Sequence, residues 1–502
     1  MTPAGPHQWR CHIKPGVTHP FRRDLNGHSL PGFACRPLGV ELSVSPPHPQ
    51  AEDFAPFSLG VSLWPHQQED AQCMRLGSWG EWAEVGLGKT VTVLAAFAML
   101  RDDGGPKRLL VLGPESARHA WTGKTGDSNL FGLSSAVVTD KVKKNGLPSV
   151  DVLFCTYDKI FRQPYQGLLL QLVKAGVALC CDEVHMCTGL TSKRFQVLDL
   201  WARLCKYRWL LSGTPISNYP DKLWAVWRLL TGNECSIEQW MAWFCPGGVW
   251  DTYRLRELGK YLRCVSRVRT RREVAPHLPP TVCRVVEVPL TGLQRKRYQE
   301  LIEAEYVDAE WLAALSHMLG VCSHTDLTSS NALLSQAESK LETLLELLGG
   351  MAGKVVIWSW HPSTLEWLAG KLPGRSVQYH GRVAPRAREE AVRAFNQDAD
   401  CRFFLGNPAA AGAGLNLPAG DVRIYWDVGW KPVEYTQSQG RIERGLSYSP
   451  KLEYRLVAKG TIEAYVWEAV QAKLDLAALI LEGKQKPSQQ RDGIRKRWKL
   501  EG

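Results

Sequence analysis

AEVGLGKT, residues Ala83–Thr90, is the stretch that decides the fold, because a glycine-rich loop ending in Gly-Lys-Thr is suited to hold a nucleoside triphosphate. Gly86 and Gly88 let the backbone turn so that successive N–H groups face phosphate oxygens. Thr90 begins a predicted helix whose positive end faces the same anion. We expect Lys89 to reach the β- and γ-phosphates and the Thr90 hydroxyl to bind Mg²⁺. Such a loop also occurs as an ordinary helix-capping turn, so its meaning depends on the motifs that follow.

Strand and helix patterns alternate after this loop. VTVLAAFAML predicts a helix, and RLLVLG, DVLFCTYD, GVALCCDE and YRWLLSGTP are apolar runs typical of buried strands. The alternation predicts a parallel sheet with crossover helices. Residues 78–82, SWGEW, are polar for a buried strand, and we therefore expect the strand that delivers the loop to be short.

The same alternation returns in the second half of the chain. KVVIWSW, VQYH, CRFFLGN and VRIYWD predict strands, and PSTLEWLAGKL and PRAREEAVRAF predict helices. We therefore predict an α/β protein with two parallel-sheet lobes in tandem. The predicted parts are an irregular arm at 1–50, a first lobe at 51–232, a helical connector at 233–280, a second lobe at 281–482 with a helical insertion at about 292–338, and a basic tail at 483–502.

Five tryptophans lie in amphipathic stretches around the connector. They are Trp224, Trp227, Trp240, Trp243 and Trp250. Tryptophans can stack on nucleic-acid bases, but at helical spacing they more often pack in a core, and we expect core positions here.

Composition indicates a globular protein with a polyanionic partner. The 502 residues are 44% apolar and carry a formal net charge of +11, which favours nucleic acid first and an anionic membrane surface second. No apolar run approaches the length of a membrane span, and the first residues lack the pattern of a secretory signal. The fourteen cysteines include no Cys-x-x-Cys pair, and the early His and Cys residues match no standard zinc spacing. We therefore expect a soluble protein with reduced thiols, in the cytoplasm of a prokaryote or of a virus-infected cell, or in the nucleus of a eukaryote.

Two adjacent acids, Asp182 and Glu183, follow an apolar strand of the same predicted sheet. They supply what phosphoryl transfer needs beside the loop, with Asp182 to hold Mg²⁺ and Glu183 as the general base that orients and deprotonates water. His185 lies close enough in sequence to relay the state of the γ-phosphate to neighbouring segments. Ser212 and Thr214 offer two hydroxyls in a constrained SGTP turn, and we assign them to the same coupling role.

A partner set of motifs lies in the second half. GAGLNL at 412–417 is another glycine-rich loop after a strand and contributes Gly414 to the expected nucleotide site. QSQGRIER at 437–444 contributes Gln437 and places Arg441 and Arg444 three residues apart on a helix face. Arginines at that spacing can point at a phosphate across a cleft between lobes, as arginine fingers do, although they are also common as surface ion-pairing residues.

The order GLGKT, DEVH, SGTP, GAGLNL and QSQGRIER resembles helicase superfamily two. Several further segments resemble its Snf (switch/sucrose non-fermenting) family of double-stranded-DNA translocases in particular. LLSGTPISN followed by LWAVWRLL is similar to that family's third motif and following helix, and VEVPLTGLQRKRYQEL and SKLETLLELL are similar to its entry into the second lobe. The resemblance covers roughly residues 58–480. It is specific, because so many motifs are very unlikely to occur in this order by chance.

This resemblance implies two RecA-like lobes with ATP and Mg²⁺ in the cleft and duplex DNA across the top of both lobes. It places Gln67 near adenine, which an amide side chain suits because it offers both a donor and an acceptor. The residues assigned to the nucleotide are Gln67, Gly86, Leu87, Gly88, Lys89, Thr90, Gly414 and Gln437. The resemblance also implies DNA-backbone contacts from Pro114–Ser116, from Thr156 and Tyr157, and from the loop around Asn416, which would hold phosphates without reading sequence.

The chain departs from the family pattern at four positions. Ala83 stands where the family usually has Asp, Val184 replaces the small residue of DEAH, and Gly440 and Glu443 stand where it often has Asp and His. Gly-Arg-x-x-Arg is more typical of unwinding helicases of the wider superfamily. We therefore expect a nucleic-acid-stimulated ATPase that moves along DNA, with a strand-separating DNA or RNA helicase as the alternative. A nucleotide-gated DNA-binding module with little turnover is the second alternative.

Overall fold

The strands of this protein form two parallel sheets, one of seven strands and one of six. The computed structural model describes residues 61–123, 126–215, 220–248, 252–304, 308–324, 338–410, 415–443 and 451–482. The predicted arm at 1–50, with its histidines and cysteines, and the predicted basic tail at 483–502 lie outside these residues. The two sheets confirm the predicted α/β fold with two parallel-sheet lobes in tandem. Among the described residues, no helix combines the length and the apolarity needed to cross a membrane.

The first sheet has apolar central strands that are buried on both faces. Its strands are β1 (Trp79–Ala83), β2 (Leu109–Gly113), β3 (Ser135–Val137), β4 (Val152–Thr156), β5 (Ala178–Asp182), β6 (Arg208–Leu211) and β7 (Ser266–Arg269). They lie in the order β3-β4-β2-β5-β6-β1-β7. Alternate residues enter two separate cores, since Leu110 and Leu112 pack in one cluster and Leu109 and Val111 in the other. Burial on both faces explains why the central strands β2, β4 and β5 are marked by continuous apolar runs.

Helices cover both faces of this sheet. They are α1 (Pro65–Leu76), α2 (Lys89–Asp102), α3 (Arg118–Trp121), α4 (Val142–Asn145), α5 (Tyr165–Lys174), α6 (Lys193–Leu204), α7 (Leu223–Thr231), α8 (Ile237–Phe244), α9 (Thr252–Val265) and α10 (Arg271–Val274). Residues of α1, α2 and α3 join one core, and residues of α5 to α9 join the other. Local sequence fixes several helix starts. Pro65 occupies the first position of α1, and the Ser192 hydroxyl caps α6 by accepting from the Phe195 N–H.

The connector between the lobes gives the first sheet its edge strand. It was predicted to be helical, and α8, α9 and α10 lie in it, but Ser266–Arg269 instead pair in parallel with β1 as β7. This pairing encloses β1 between β6 and β7 and buries all five of its residues. The strand that delivers the loop is therefore short, as its polar sequence predicts, yet fully internal.

Tryptophans of the connector region pack in the core, as predicted. Trp224, Trp227 and Trp240 are buried in the cluster that covers one face of the first sheet, and Trp243 packs against that cluster. Trp250 lies outside the described residues.

The second sheet is also parallel, and its central strands are largely buried. Its strands are β8 (Val282–Val288), β9 (Lys354–Trp358), β10 (Arg375–Tyr379), β11 (Cys401–Gly406), β12 (Gly420–Tyr425) and β13 (Leu452–Ala458), in the order β10-β11-β9-β12-β13-β8. Its helices are α11 (Gly292–Glu303), α12 (Asp308–Ser323), α13 (Glu338–Gly349), α14 (Pro362–Ala369), α15 (Pro385–Gln397), α16 (Pro432–Gln439) and α17 (Ile462–Glu482). The described part of the predicted insertion is helical, since α11 and α12 fill it.

The last helix, α17, returns from the second lobe to the first. It begins after β13, and its end packs Leu479, Ile480 and Leu481 into the core that α9 shares. The Arg263 guanidinium of α9 donates to the Ile480 and Leu481 carbonyls at 3.0 and 3.3 Å, which satisfies carbonyls at the helix end. The two lobes are thus joined at a second place besides the connector.

Candidate active site

The phosphate loop lies between the end of β1 and the start of α2 at Lys89. Gly86 and Gly88 have φ angles of 92° and 81°, in the left-handed region that favours glycine. A Cβ atom on Gly88 would also lie 2.2 Å from Gln67 Nε2. The left-handed conformation therefore favours glycine at position 88, and a Cβ atom there would also displace the end of the Gln67 side chain. The loop leads directly into the N-terminus of a helix, as the sequence predicts for anion binding.

Lys89 lies across this loop. Its Nζ donates to the Ala83 carbonyl at 2.7 Å and approaches the Glu84 carbonyl at 3.4 Å. An ammonium held at these two carbonyls is positioned at the mouth of the loop, where a phosphate oxygen would replace a carbonyl as its acceptor. The geometry suits the predicted role of Lys89, which stays a prediction.

Gln67 lies against the loop from the first turn of α1. Its Oε1 accepts from the Trp64 N–H at 2.9 Å, and its Nε2 is 3.5 Å from the Leu87 carbonyl. His66 Nε2 lies 3.0 Å from the same carbonyl. The amide that was predicted to lie near adenine is therefore next to the loop, and its contact with adenine stays a prediction.

Asp182 ends strand β5 and Glu183 directly follows it, and both are buried. Trp121 Nε1 donates to Asp182 Oδ2 at 2.9 Å, and the Tyr157 hydroxyl donates to the Asp182 main-chain carbonyl at 2.7 Å. Glu183 has φ 53°, a left-handed conformation that costs a non-glycine residue backbone strain and is typical of functional sites. Two hydrogen bonds and a strained backbone thus fix this acidic pair.

The two carboxyls have opposite pKa shifts. Burial and the neighbouring charge of Glu183 raise the pKa of Asp182, while the Trp121 N–H opposes that rise. Burial alone would also raise the pKa of Glu183, but the contact with His185 and the positive charges of Lys89 and Arg441 outweigh it and lower that pKa. Glu183 is therefore held ionised, as a residue that orients and activates water must be.

His185 connects the acidic pair to the SGTP turn. Its Nδ1 lies 3.3 Å from Glu183 Oε2 and 3.1 Å from Ser212 Oγ. The Ser212 hydroxyl in turn accepts from the Thr214 N–H at 3.1 Å. These contacts bring the three residues predicted to couple the site to its surroundings into one chain of hydrogen-bonding groups; the coupling itself stays a prediction.

The second lobe reaches the loop through the segment that follows α16. A Cβ atom on Gly440 would lie 2.5 Å from Val85 Cβ, so the two lobes are in contact there. Arg441 is buried beside this contact, and its charge acts on Glu183. Gln437 is half-buried on α16. Two other predicted residues, Gly414 and Arg444, lie outside the described residues.

The segments predicted to contact DNA lie at strand ends. Pro114–Ser116 follow β2 and Thr156 ends β4, and Ser116 and Asn416 are exposed. Tyr157 is buried, and its hydroxyl donates to the Asp182 main-chain carbonyl, so its side chain faces the interior. Contact of these segments with DNA stays a prediction, and at Tyr157 it would involve the main chain.

Sequence reasoning missed three residues that hold the site. Trp121 bonds Asp182, the Arg271 N–H donates to Glu84 Oε2 at 2.8 Å, and Arg423 Nε donates to Glu453 Oε2 at 2.6 Å beneath α16. Arg423 also donates to the Gln439 carbonyl at 3.0 Å, so it anchors the helix end that precedes Arg441. An arginine between the apolar residues Val422 and Ile424 of β12 was the one available signal.

The residues present fit a magnesium ion. A threonine hydroxyl at a helix N-terminus and an aspartate carboxylate are hard oxygen donors, which Mg²⁺ prefers when phosphates complete its shell. Thr90 lies in the first turn of α2, and Trp121 holds one oxygen of the Asp182 carboxylate. Donor chemistry therefore matches the predicted roles of Thr90 and Asp182.

Two family models match the chain. The SNF2-related domain matches residues 82–347, and the helicase conserved C-terminal domain matches residues 339–445. The first model covers more than half of the chain. Its range includes the loop, the acidic pair and the SGTP turn, and the second includes the described segment around Arg441.

Curated relatives match the same region. The chain is 27% identical over 326 residues to the ISWI chromatin-remodeling complex ATPase CHR17 of Arabidopsis thaliana, covering 60% of this chain and 30% of that protein. It is 24% identical over 446 residues to the human SWI/SNF-related matrix-associated actin-dependent regulator of chromatin subfamily A member 1, covering 80% of this chain and 41% of that protein. The chain thus spans about a third of the length of these relatives. These relatives do not support the predicted location in the cytoplasm of a prokaryote or of a virus-infected cell.

Among solved structures, the chain is similar to the Sulfolobus solfataricus SWI2/SNF2 ATPase core in complex with dsDNA. The identity is 20%, the TM-score is 0.42, and the match covers 86% of this chain and 95% of that chain. The two family models, matched in order over two parallel-sheet lobes, establish the family on their own. The chain belongs to the SNF2-related family of helicase-type, DNA-dependent ATPases, and its second lobe carries the helicase conserved C-terminal domain.

Proposed function

We propose that this protein hydrolyses ATP, with Mg²⁺, in the cleft between its lobes and uses the hydrolysis to move along DNA, duplex DNA above all. The observation that carries this proposal is the approach of the second lobe to the phosphate loop. Gly440 lies against Val85, and the charge of Arg441 acts on the Glu183 carboxylate. Because groups from both lobes share one site, nucleotide binding and hydrolysis alter how the lobes meet.

Each group at the site has a role in hydrolysis. Lys89 binds the β- and γ-phosphates, Glu183 orients water and takes its proton, and Arg441 stabilises the charge that develops on the transferred phosphoryl group. Held by Thr90 and Asp182, Mg²⁺ would neutralise charge on the same phosphates. Burial of the acidic pair strengthens these electrostatic interactions relative to water.

Movement follows from phosphate contacts on two lobes. Ser116 and Thr156 belong to the first lobe and Asn416 to the second, so closure of the cleft shifts one set of contacts relative to the other. Contacts to phosphates carry no sequence information, which suits a motor that must act on any sequence. The formal net charge of +11 supports a polyanionic track.

Displacement of a third strand from a DNA triplex tests movement without strand separation. We expect ATP-dependent release of the third strand, with both strands of the duplex remaining paired. Release that is equally fast with ADP, or no release while ATP is being hydrolysed, would contradict translocation on duplex DNA.

One observation favours the alternative of strand separation. Glu443, which occupies a position where the family often has His, accepts from the Thr281 hydroxyl at 2.8 Å and from Arg423 at 2.5 Å. Glu443 is thus bonded within the second lobe, in a Gly-Arg-x-x-Arg sequence of the form that unwinding helicases share. A forked duplex labelled on one strand distinguishes the two activities, because a helicase releases that strand and a duplex translocase leaves it paired. The same assay on an RNA duplex tests an RNA helicase.

A nucleotide-gated DNA-binding module with little turnover is the remaining alternative. Glu183 is ionised and lies near the charge of Arg441, which argues for hydrolysis. ATP turnover at saturating DNA decides this, since a gated module would bind DNA in response to ATP without releasing phosphate.

A further inference from the structure

Three neighbouring strands of the first sheet end side by side. Strand β2 pairs with β4 on one side and with β5 on the other, so Gly113, Thr156 and Asp182 lie at one edge. A Cβ atom on Gly113 would lie 3.4 Å from Asp182 Cβ, and the Tyr157 N–H donates to the Gly113 carbonyl at 3.3 Å. The segments that follow β2 and β4 are therefore in direct contact with the acidic pair that follows β5.

Both of those segments place a buried donor on Asp182. Trp121 is completely buried, and its Nε1 donates to Asp182 Oδ2 at 2.9 Å. Tyr157 is 2% exposed, and its hydroxyl donates to the Asp182 carbonyl at 2.7 Å. One bond fixes the carboxylate and the other fixes the main chain that carries it. A shift of either donor must therefore move or release Asp182.

The same two segments carry the residues proposed to contact DNA. Trp121 ends α3, which begins at Arg118, two residues after the exposed Ser116, and Tyr157 directly follows Thr156. A phosphate bound at Ser116 would lie in the same short segment as Trp121, which donates to the Asp182 carboxylate. A phosphate bound at Thr156 would lie next to Tyr157, which donates to the Asp182 main-chain carbonyl.

We propose that Trp121 and Tyr157 are positioning residues that connect DNA contact to the Asp182 carboxylate, so that duplex DNA tightens metal binding and thereby stimulates ATP hydrolysis. This inference rests on the proposed function. It assigns the stimulation by DNA to two particular hydrogen bonds. The bond from Trp121 orients the Asp182 carboxylate, which binds the metal, and the bond from Tyr157 positions the Asp182 main chain. Partners that orient a metal-binding carboxylate typically change metal affinity or activity about 10- to 100-fold when removed.

Trp121→Phe removes the donor and keeps an aromatic ring, and Trp209→Phe is its matched control. Trp209 is also completely buried in the first lobe, but its Nε1 donates to the Met74 and Gly77 carbonyls, both at 3.0 Å, away from the acidic pair. ATP turnover is measured with and without duplex DNA. Mn²⁺ binding is measured by electron paramagnetic resonance with a non-hydrolysable ATP analogue, again with and without DNA.

We expect Trp121→Phe to lower both the DNA-stimulated turnover and the affinity for Mn²⁺ about 10- to 100-fold, and to abolish the effect of DNA on Mn²⁺ binding. Trp209→Phe is expected to keep the wild-type ratio of stimulated to unstimulated turnover. Tyr157→Phe, which removes only the hydroxyl, is the second variant, and we expect it to weaken the effect of DNA on Mn²⁺ affinity.

The outcomes separate this inference from the proposed function. A wild-type protein whose ATP turnover does not respond to any DNA would overturn both. If the wild type responds to DNA while Trp121→Phe matches Trp209→Phe in stimulation and in Mn²⁺ affinity, the proposed function stands and the positioning role of Trp121 is overturned. A DNA effect on Mn²⁺ binding that survives Tyr157→Phe unchanged overturns the role of Tyr157.

Discussion

Gly440 of the second lobe faces Val85 of the phosphate loop so closely that a Cβ atom on Gly440 would lie 2.5 Å from Val85 Cβ. The family often has Asp at this position, and in the observed arrangement such a side chain would collide with the loop. Glycine therefore permits a close contact between the lobes, directly before Arg441. This contact places the arginine where its charge acts on Glu183.

We predict that Gly440→Ala lowers DNA-stimulated ATP turnover about 5- to 150-fold, because overpacking by one methyl group costs about 1–3 kcal/mol in the closed state. Adding Val85→Gly to Gly440→Ala removes the colliding atoms and should restore part of the turnover. Gly381→Ala is the control, since a Cβ atom on Gly381 meets nothing within 4 Å. Equal turnover of Gly440→Ala and wild type would show that this contact is not used in hydrolysis.

Glu81 supports a prediction about stability. It is completely buried in β1, and neither carboxyl oxygen has a hydrogen-bond partner within the part of the chain that the structure describes. The neighbouring Arg269 is bonded to Asp70, and the Thr92 hydroxyl donates to the Gly88 carbonyl at 3.3 Å. Burial and the charge of Asp70 raise the pKa of Glu81 well above its ordinary value, although Lys89, Arg269 and the nearby Thr92 oppose that rise. A buried carboxyl with a raised pKa thus lies next to the phosphate loop.

We predict that Glu81→Leu stabilises the first lobe by about 1–3 kcal/mol, because it removes a buried polar group without a partner. Since the folded protein holds the Glu81 proton more tightly than the unfolded chain, wild-type stability falls as pH rises above the ordinary glutamate pKa, and the advantage of Glu81→Leu should widen. Urea unfolding at several pH values measures this. Glu81→Gln keeps a buried polar group and should give no gain below the ordinary glutamate pKa, but because it does not ionise it should become more stable than the wild type as pH rises. A destabilised Glu81→Leu would mean that the carboxyl has a partner.

The acidic pair predicts how turnover depends on pH. The raised pKa of Asp182 means that protonation begins above the ordinary aspartate range as pH falls, whereas Glu183, whose pKa is lowered, stays ionised. Only ionised Asp182 binds Mg²⁺, so kcat/KM should fall on the acid side, and more Mg²⁺ should move that fall to lower pH. An acid limb that ignores the Mg²⁺ concentration would contradict the assignment of Asp182.

The close contact between Gly259 and α17 leads to a prediction about how firmly α17 holds the lobes together. A Cβ atom on Gly259 of α9 would lie 1.9 Å from the Ile480 carbonyl oxygen. Gly259→Ala should therefore weaken the packing of α17 by about 1–3 kcal/mol, although alanine favours helices. Limited proteolysis at α17 measures the loss. Gly349→Ala, where nothing lies within 4 Å of the added atom, is the control and should leave cleavage unchanged.

Local pattern was enough to predict most of the strands and helices. Continuous apolar runs such as LLVLG and ALCCD are strands buried on both faces. These features depend on neighbouring residues, which sequence shows directly. The expectation that the loop, the acidic pair and the arginine segment share one site came instead from the resemblance of the ordered motifs to a known family.

Long-range pairing could not be predicted in the same way. Strand β7, which lies within the connector, pairs with β1, and this pairing helps to bury the polar SWGEW strand together with Glu81. Trp121 bonds a residue 61 positions later, and nothing in ESARHAW marks that contact. Tyr157 shows the same limit, since the motif placed it near DNA and the fold turned its hydroxyl inward.

ATP turnover with saturating duplex DNA, single-stranded DNA and RNA, for the wild type and for Lys89→Ala and Glu183→Gln, tests the central claim most directly. We predict that duplex DNA stimulates the wild type most. Both variants should lose hydrolysis by about two to four orders of magnitude while they still bind DNA. Stimulation by single strands or RNA without any by duplex DNA, or wild-type turnover in either variant, would contradict the account.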